Sequence, residues 1–198
     1  MQTPAKQPSL WFTKRVLIAY VLCAVSLVIY LSPLNELLAY NRQSPWAWIT
    51  ALLSSHYTHL SLPHLLINFF ALIVIYYLFI EDVSIKVQLA LLVFLGVCVG
   101  LGIHLLTDIE RYTGFSGICH GMLIAGALLT FHRKDRWINI LVIIGTLIKL
   151  VDEALTEDRS SPLFELGYVA IEAHQFGVAG AVIFSSAYYV LSRTFERT

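Results

Sequence analysis

The sequence predicts an all-α polytopic membrane protein with a bundle of six transmembrane helices. Of its 198 residues, 58% are hydrophobic and 13% are charged, whereas soluble domains carry about 25% charged residues. The apolar residues are gathered in six long runs, and a helix of about 20 apolar residues crosses a hydrocarbon core of about 30 Å. The formal net charge is zero, so no global field favours nucleic acid, and the lipid bilayer is the expected partner.

The six runs follow one another without an internal repeat or an interdomain linker. Residues 16–192 therefore form one predicted domain between a polar arm, residues 1–15, and a tail, residues 193–198. The long first loop contains Ser44-Pro45 followed by two tryptophans, which favours a short helix in the membrane interface. A polar, acidic loop that begins with Asp152 and Glu153 is predicted between the last two spans. The predicted spans are 16–34, 63–80, 87–106, 116–131, 137–151 and 169–191, with the interfacial helix at 45–54.

Basic residues predict the orientation of these spans. Cytoplasmic segments of membrane proteins are enriched in lysine and arginine. Six spans place both termini on the same side, and the segments on that side hold nine basic residues, against three or four on the other. We therefore expect both termini to be cytoplasmic. The nine residues are Lys6, Lys14, Arg15, Lys86, Arg133, Lys134, Arg136, Arg193 and Arg197.

Polar side chains within the spans gather near the external ends of three different helices. Each lies where its helix enters from outside, and polar groups at such depth are costly unless they face a cavity or a partner. Their shared depth predicts a functional site. They are His64 and Asn68 in the second span, Ser116 and His120 in the fourth, and His174 in the sixth.

Ser116 lies at a turn that becomes a helix, since Gly114 permits a tight backbone just before it. The first backbone N–H groups of a helix have no partner within it and stand at the positive end of its dipole. They can stabilise an oxyanion if the Ser116 hydroxyl attacks a carbonyl carbon. A simpler interpretation is that Ser116 caps the helix. Local sequence leaves both interpretations open.

Two strips of small residues predict that the fourth and sixth spans pack closely. The members of each strip are four residues apart and so share one helix face. Small residues allow helices in lipid to approach each other. If the strips face one another, Ser116 and His174 lie at similar depth on adjacent helices. The strips are Gly117, Gly121 and Ala125 in the fourth span, and Ala173, Gly177 and Ala181 in the sixth.

Three short motifs resemble those of rhomboid intramembrane serine proteases, and they occur in the same order along the chain. The resemblance implies a Ser–His dyad, with Ser116 as nucleophile and His174 as general base and acid. It also implies an oxyanion site formed by His64, Asn68 and the Ser116 backbone N–H. No cofactor and no metal are implied. The motifs are His64-Leu65-Leu66-Ile67-Asn68, Gly114-Phe115-Ser116-Gly117 and Ala173-His174-Gln175-Phe176-Gly177.

The chain departs from the common rhomboid pattern at two places. His120 stands where many rhomboids carry a tyrosine, and Trp46 is followed by Ala47 where many have a Trp-Arg pair. With the compact six-span build, the chain is most similar to the rhombosortase branch. That branch implies a bacterial inner membrane protein whose active site opens to the external side. It implies single-span substrates with a C-terminal anchor of Gly-Gly, a hydrophobic segment and a basic tail.

Further residues are expected to support the dyad. Glu172 precedes His174 by two residues and so points elsewhere on its helix, and no carboxylate of a triad is indicated. We expect His120 to pack against His174, and the alternatives are that it is a competing base or a polar contact between helices. Four further residues are expected to support the turn before Ser116 and the contact between the fourth and sixth spans. They are Gly114, Phe115, Gly117 and Gly177.

Two other hypotheses come from different classes of protein. The absence of an HExxH motif disfavours a zinc membrane protease, but four histidines at one depth would suit a membrane haem or metal-binding protein. Alternatively, the chain is an inactive rhomboid-like binder of membrane helices, although the presence of both Ser116 and His174 argues against this. The four histidines are His64, His104, His120 and His174.

Overall fold

The computed structural model describes residues 17–80, 83–132, 136–156 and 170–195, and this part of the chain is mainly helical. Two short strands, β1 (Tyr40–Asn41) and β2 (Arg111–Tyr112), pair antiparallel and are a small departure from the predicted all-α fold. The helices are α1 (Leu17–Tyr30), α2 (Leu34–Leu38), α3 (Ala47–Ile49), α4 (Leu62–Leu78), α5 (Ile85–Leu106), α6 (Ser116–Leu129), α7 (Arg136–Leu155) and α8 (Ile171–Phe195).

The first loop differs from its prediction. α1 ends at Tyr30 rather than at residue 34, because Pro33 disfavours the helical conformation in the residue before it and cannot donate a helical hydrogen bond. The interfacial helix starts as α3, at Ala47 rather than at residue 45. It continues through a π-helical turn, Thr50–Ser54, and a 3₁₀ turn, Ser55–Tyr57.

The predicted fifth span, now α7, is longer than expected. It was predicted to end near Val151 and to be followed by a polar loop, but α7 continues to Leu155. Glu153 is therefore helical, and it forms an ion pair with Lys149, one helical turn earlier. Such i,i+4 pairs stabilise a helix, which is one reason why the acidic residues continue α7 instead of ending it.

The ends of the predicted domain are only partly described. α8 reaches Phe195 and so extends into the predicted tail at 193–198. The predicted arm, residues 1–15, and the remainder of the predicted acidic loop, residues 157–169, lie outside the described residues.

Some of the helices have the length and apolar composition needed to cross a membrane. Within the described ranges, Ile85–Leu106 and Ile171–Thr194 are long and apolar enough to cross a membrane. A third span results if Ala47–Tyr57 and Leu62–Leu78, which are bent by 75° relative to each other, count as one. Leu17–Tyr30 and Ser116–Leu129 are apolar but shorter. These helices support a membrane-embedded bundle, and the count of six spans stays a prediction.

α6 is the central helix, with nine of its 14 residues buried. Its most extensive contact is with α8. A Cβ built on Gly177 would lie 2.0 Å from the carbonyl oxygen of Gly117, and one on Gly117 would lie 2.7 Å from the carbonyl oxygen of Ala173. Only residues without a side chain permit such an approach of two backbones. The predicted close packing of the fourth and sixth spans is confirmed.

Arg42 fixes the C-terminal end of α5. Its guanidinium donates hydrogen bonds to the carbonyl oxygens of Ile103 at 3.0 Å, His104 at 3.1 Å and Ile109 at 3.2 Å, and to that of Thr107. The last carbonyl groups of a helix have no partner within it, so Arg42 supplies the missing donors. This contact and the β1–β2 pairing hold the first loop against the segment that leads to α6.

Candidate active site

Ser116 is the first residue of α6. Gly114, two residues earlier, has φ +113°, a conformation that L side chains rarely adopt. Phe115 occupies the N-cap position and forms no side-chain cap. The Ser116 hydroxyl instead lies 3.0 Å from Nε2 of His174. Ser116 is therefore not the helix cap that local sequence had left open, and its hydroxyl is directed towards a base.

His174 lies in the first turn of α8 and is 4% exposed. It reaches Ser116 because α6 and α8 approach each other at Gly117, Ala173 and Gly177. A serine hydroxyl is a weak nucleophile until a neighbouring base removes its proton. The structure therefore brings together the two residues that the rhomboid resemblance implies for nucleophile and base, at hydrogen-bond distance.

The second imidazole nitrogen of His174 contacts a residue that the sequence argument missed. Nδ1 lies 2.9 Å from Oε2 of Glu153 on α7. The other carboxylate oxygen of Glu153 pairs with the ammonium group of Lys149. From the sequence, Glu172 was excluded as the carboxylate of a triad, and Glu153 was expected to lie in a loop. The four-residue spacing of Lys149 and Glu153, with no glycine or proline between them, is the signal that favours a longer helix.

These contacts determine which nitrogen of the neutral His174 ring carries the proton. A carboxylate only accepts hydrogen bonds, so in a neutral His174 the Nδ1–H donates to Glu153. Nε2 then carries the lone pair and accepts from the Ser116 hydroxyl. This is the tautomer that a general base requires.

His120 lies one helical turn after Ser116 and packs on His174. The two rings are stacked, with centroids 4.0 Å apart and an angle of 22° between their planes. Nδ1 of His120 donates to the Ser116 carbonyl oxygen at 2.8 Å, because a carbonyl can only accept. His120 thus contacts both the first helical turn of α6, through Ser116, and the ring of His174.

His64 and Asn68 lie on α4, whose N-terminus is capped by the Ser61 hydroxyl accepting from the His64 backbone N–H. Both side chains approach Gly114. A Cβ built on Gly114 would lie 2.6 Å from Cε1 of His64 and 3.7 Å from Nδ2 of Asn68. The Asn68 side chain is buried, and its Nδ2 has no hydrogen-bond partner within the described part of the chain. A buried donor without a partner is costly unless a ligand supplies the acceptor.

The loop before Ser116 is held at three points. The Tyr112 hydroxyl donates to the carbonyl oxygen of Gly114 at 2.9 Å. The backbone N–H of Gly114 donates to the carbonyl oxygen of Ser55 at 3.0 Å. Tyr112 itself pairs with Tyr40 across the two strands. Fixed loops of this kind are typical of sites that must hold donors in place.

The four histidines of the metal hypothesis do not form one ligand set. His104 lies against Trp48, with ring centroids 4.0 Å apart, and its Nδ1 is 3.1 Å from the Tyr40 hydroxyl. Nowhere in residues 17–80, 83–132, 136–156 and 170–195 do three or more His, Cys, Asp or Glu side chains form a group that could hold a metal ion. The geometry therefore gives this hypothesis no support.

The fold and the site together define a membrane-embedded helical bundle with a serine and a histidine in hydrogen-bond contact. A family model described as the Rhomboid domain matches residues 42–191, which is more than half of the chain. The chain therefore belongs to the rhomboid family, a family of intramembrane serine proteases. The matched range contains all the site residues described above. No curated protein and no solved structure matches the chain.

Proposed function

We propose that this rhomboid-family chain is an active intramembrane serine endopeptidase. The observation that carries the proposal is the 3.0 Å contact between the Ser116 hydroxyl and Nε2 of His174. An inactive relative would have no need to keep a buried histidine facing a hydroxyl at the start of a helix, since polar groups inside a membrane bundle are costly.

In the proposed reaction, Oγ of Ser116 attacks the carbonyl carbon of the scissile peptide bond while Nε2 of His174 takes the hydroxyl proton. The peptide C–N bond then breaks, and His174 returns this proton to the leaving amine. Water then attacks the acyl carbon of the resulting acyl-enzyme ester while His174 takes one of its protons. The ester bond to Oγ of Ser116 breaks, His174 gives that proton to Oγ, and the water oxygen remains on the released carboxylate. Each step uses His174 once as base and once as acid.

The oxyanion of the tetrahedral intermediates would be held by His64, Asn68 and the backbone N–H of Ser116. Support comes from the buried Asn68 Nδ2 without a partner and from the contact of Gly114 with the His64 ring. Loss of one such donor typically costs roughly 2.7–4 kcal/mol of transition-state stabilisation.

The proposed substrates are single-span membrane proteins, cleaved near the external end of the span. A helical substrate must unwind before its carbonyl group can be attacked, and Gly-Gly near the bond lowers the cost of unwinding. The similarity of the His120 motif to the rhombosortase branch favours C-terminal Gly-Gly anchors of exported proteins. The same similarity and the basic-residue bias favour a bacterial inner membrane, six spans, and cytoplasmic termini.

A mechanism-based serine probe tests the proposal. The full chain in detergent is treated with a fluorophosphonate, and the modified residue is located by mass spectrometry. We expect modification of Ser116, and we expect neither labelling nor cleavage of a reporter span carrying Gly-Gly in Ser116→Ala and His174→Ala. A wild-type chain that leaves Ser116 unmodified, or a Ser116→Ala variant that still cleaves, would contradict the proposal and favour the inactive-binder hypothesis or another nucleophile.

A further inference from the structure

We propose that Glu153 is a positioning residue that extends the Ser116–His174 pair to a Ser–His–Glu triad. The inference rests on the proposed protease function and adds a group that the rhomboid resemblance does not imply. Its basis is that His174 makes one hydrogen bond through each ring nitrogen, to Ser116 on one side and to Glu153 on the other.

The contact between Glu153 and His174 is sheltered from water. The side chain of Glu153 is 13% exposed and that of His174 is 5% exposed. A charge-assisted hydrogen bond is stronger at such a site than at a surface, because less water screens it. Removing a carboxylate from water is costly unless partners compensate. Here Lys149 engages the second carboxylate oxygen, so both oxygens of Glu153 are held.

Glu153 lies at the end of the inward face of α7. Its neighbours Asp152 and Ala154 are both exposed. The buried residues of α7, Asn139 and Thr146, lie fourteen and seven residues before Glu153 and so share its helix face. Apolar residues on this face, such as Leu150, pack against the core, so the packing of α7 directs residue 153 inward, where a carboxylate needs a polar partner. The imidazole of His174 is the group that it meets there.

Glu153 performs two tasks in this arrangement. It fixes His174 in the tautomer with the proton on Nδ1, which leaves Nε2 free to accept the Ser116 proton. It also stabilises the imidazolium that forms once that proton has moved, since an opposite charge at close range favours the charged form. Glu153 keeps its own charge throughout and touches neither substrate nor Ser116.

The Glu153→Gln variant tests the first task. In the labelling reaction, Oγ of Ser116 bonds to phosphorus, fluoride leaves, and the hydroxyl proton passes to His174. An amide can donate its own N–H to Nδ1 and so hold the wrong tautomer, and in Ser–His–Asp enzymes the equivalent change lowers kcat by about 10⁴-fold. We expect the labelling rate of Ser116 to fall by about 100-fold or more. Asp152→Asn, an exposed acidic neighbour on α7, should leave the rate unchanged.

A pH profile tests the second task and separates it from a merely structural role. Without the carboxylate, the imidazolium loses its partner, so on acidification the labelling rate should begin to fall at a lower pH than in the wild-type chain. The other titratable groups around His174 stay in place in this variant. They are Lys149 on α7, His120 on α6 and His64 on α4.

Glu153→Asp tests whether a carboxylate at this position restores the labelling rate. It also shows whether a substitution at residue 153 simply prevents folding. It keeps the charge on a shorter side chain, so its labelling rate should lie well above that of Glu153→Gln, with the acid limb near the wild-type position. Labelling of Glu153→Gln at the wild-type rate and pH midpoint would overturn the inference while leaving the protease proposal intact. If Ser116 of the wild-type chain is not labelled at all, the protease proposal itself fails.

Discussion

The ring of His120 lies flat against the ring of His174, with centroids 4.0 Å apart and an interplanar angle of 22°. The two rings are also linked to Ser116, since Nδ1 of His120 donates to the Ser116 carbonyl oxygen. A stacked neighbour restricts the rotation of an imidazole that must serve two partners in turn. His120 is therefore suited to keep the His174 ring in the orientation that contacts both Ser116 and Glu153.

His120→Ala should lower the labelling rate of Ser116 by about 10-fold, because stacked aromatic contacts contribute about 0.5–1.5 kcal/mol beyond their buried area. His120→Phe retains a stacking ring and loses only the hydrogen bond to Ser116, so most of the rate should return. The measurement is the second-order rate of fluorophosphonate labelling for the three chains. A loss in His120→Ala as large as in His174→Ala would instead assign the base to His120.

Asn68→Ala should slow labelling of Ser116 by roughly 100-fold, because the amide N–H is proposed to bind the oxygen that becomes negatively charged. The thermal unfolding midpoint should fall little, since Nδ2 of Asn68 has no hydrogen-bond partner to lose in the described chain. The matched control is Ile67→Ala, an exposed residue next to it on α4. Equal labelling rates in the two variants would exclude Asn68 from the oxyanion site.

Gly177→Ala should separate α6 from α8. The added methyl group would lie 2.0 Å from the carbonyl oxygen of Gly117, which belongs to a backbone that cannot easily move. Overpacking of this kind costs about 1–3 kcal/mol, and the thermal unfolding midpoint in detergent should fall. Gly145→Ala on α7 is the matched control, since a Cβ there meets nothing within 4 Å. A midpoint in Gly177→Ala at or above that of the control would contradict the close contact.

Arg42→Met should destabilise the fold without touching the site. It removes four hydrogen bonds to carbonyl oxygens at and after the end of α5. Ile103 keeps a second donor, the Thr107 hydroxyl, and each buried carbonyl group that is left without a donor costs about 1–3 kcal/mol. Arg111→Met is the comparison, because its ion pair with Glu36 is exposed at both side chains and such pairs contribute about 0–1 kcal/mol. Unfolding midpoints should rank wild type, Arg111→Met, Arg42→Met. The reverse order would rule out the capping role.

The contact between α6 and α8 was predictable from sequence because its cause is local. Glycine and alanine at four-residue spacing fix one smooth face on each helix, and two smooth faces in lipid pack together. Ser116 and His174 follow from that contact, since each lies within one residue of a strip. The shared depth of His64 and Asn68 is likewise readable from where their span begins.

Glu153 was not predictable in the same way. Its place depends on whether α7 ends at Val151 or continues for one more turn, and the polar residues there fit either outcome. The irregular turns of the first loop have a similar origin. A Cβ built on Gly100 of α5 would lie 2.3 Å from the carbonyl oxygen of Ala51, so a distant helix shapes Thr50–Ser54, and no local pattern carries that information.

The N-terminus of α6 lacks a side-chain acceptor for its first backbone N–H groups. Phe115 offers no side-chain acceptor to the first turn, although a serine, threonine or aspartate there would stabilise the helix by about 1 kcal/mol. The resting protein thus leaves the first N–H groups of α6 without that acceptor. In the proposed reaction, a substrate oxygen that gains negative charge would accept hydrogen bonds from these N–H groups in the transition state, and only then. Stability given up in the ground state would thus become an interaction that speeds the chemical step.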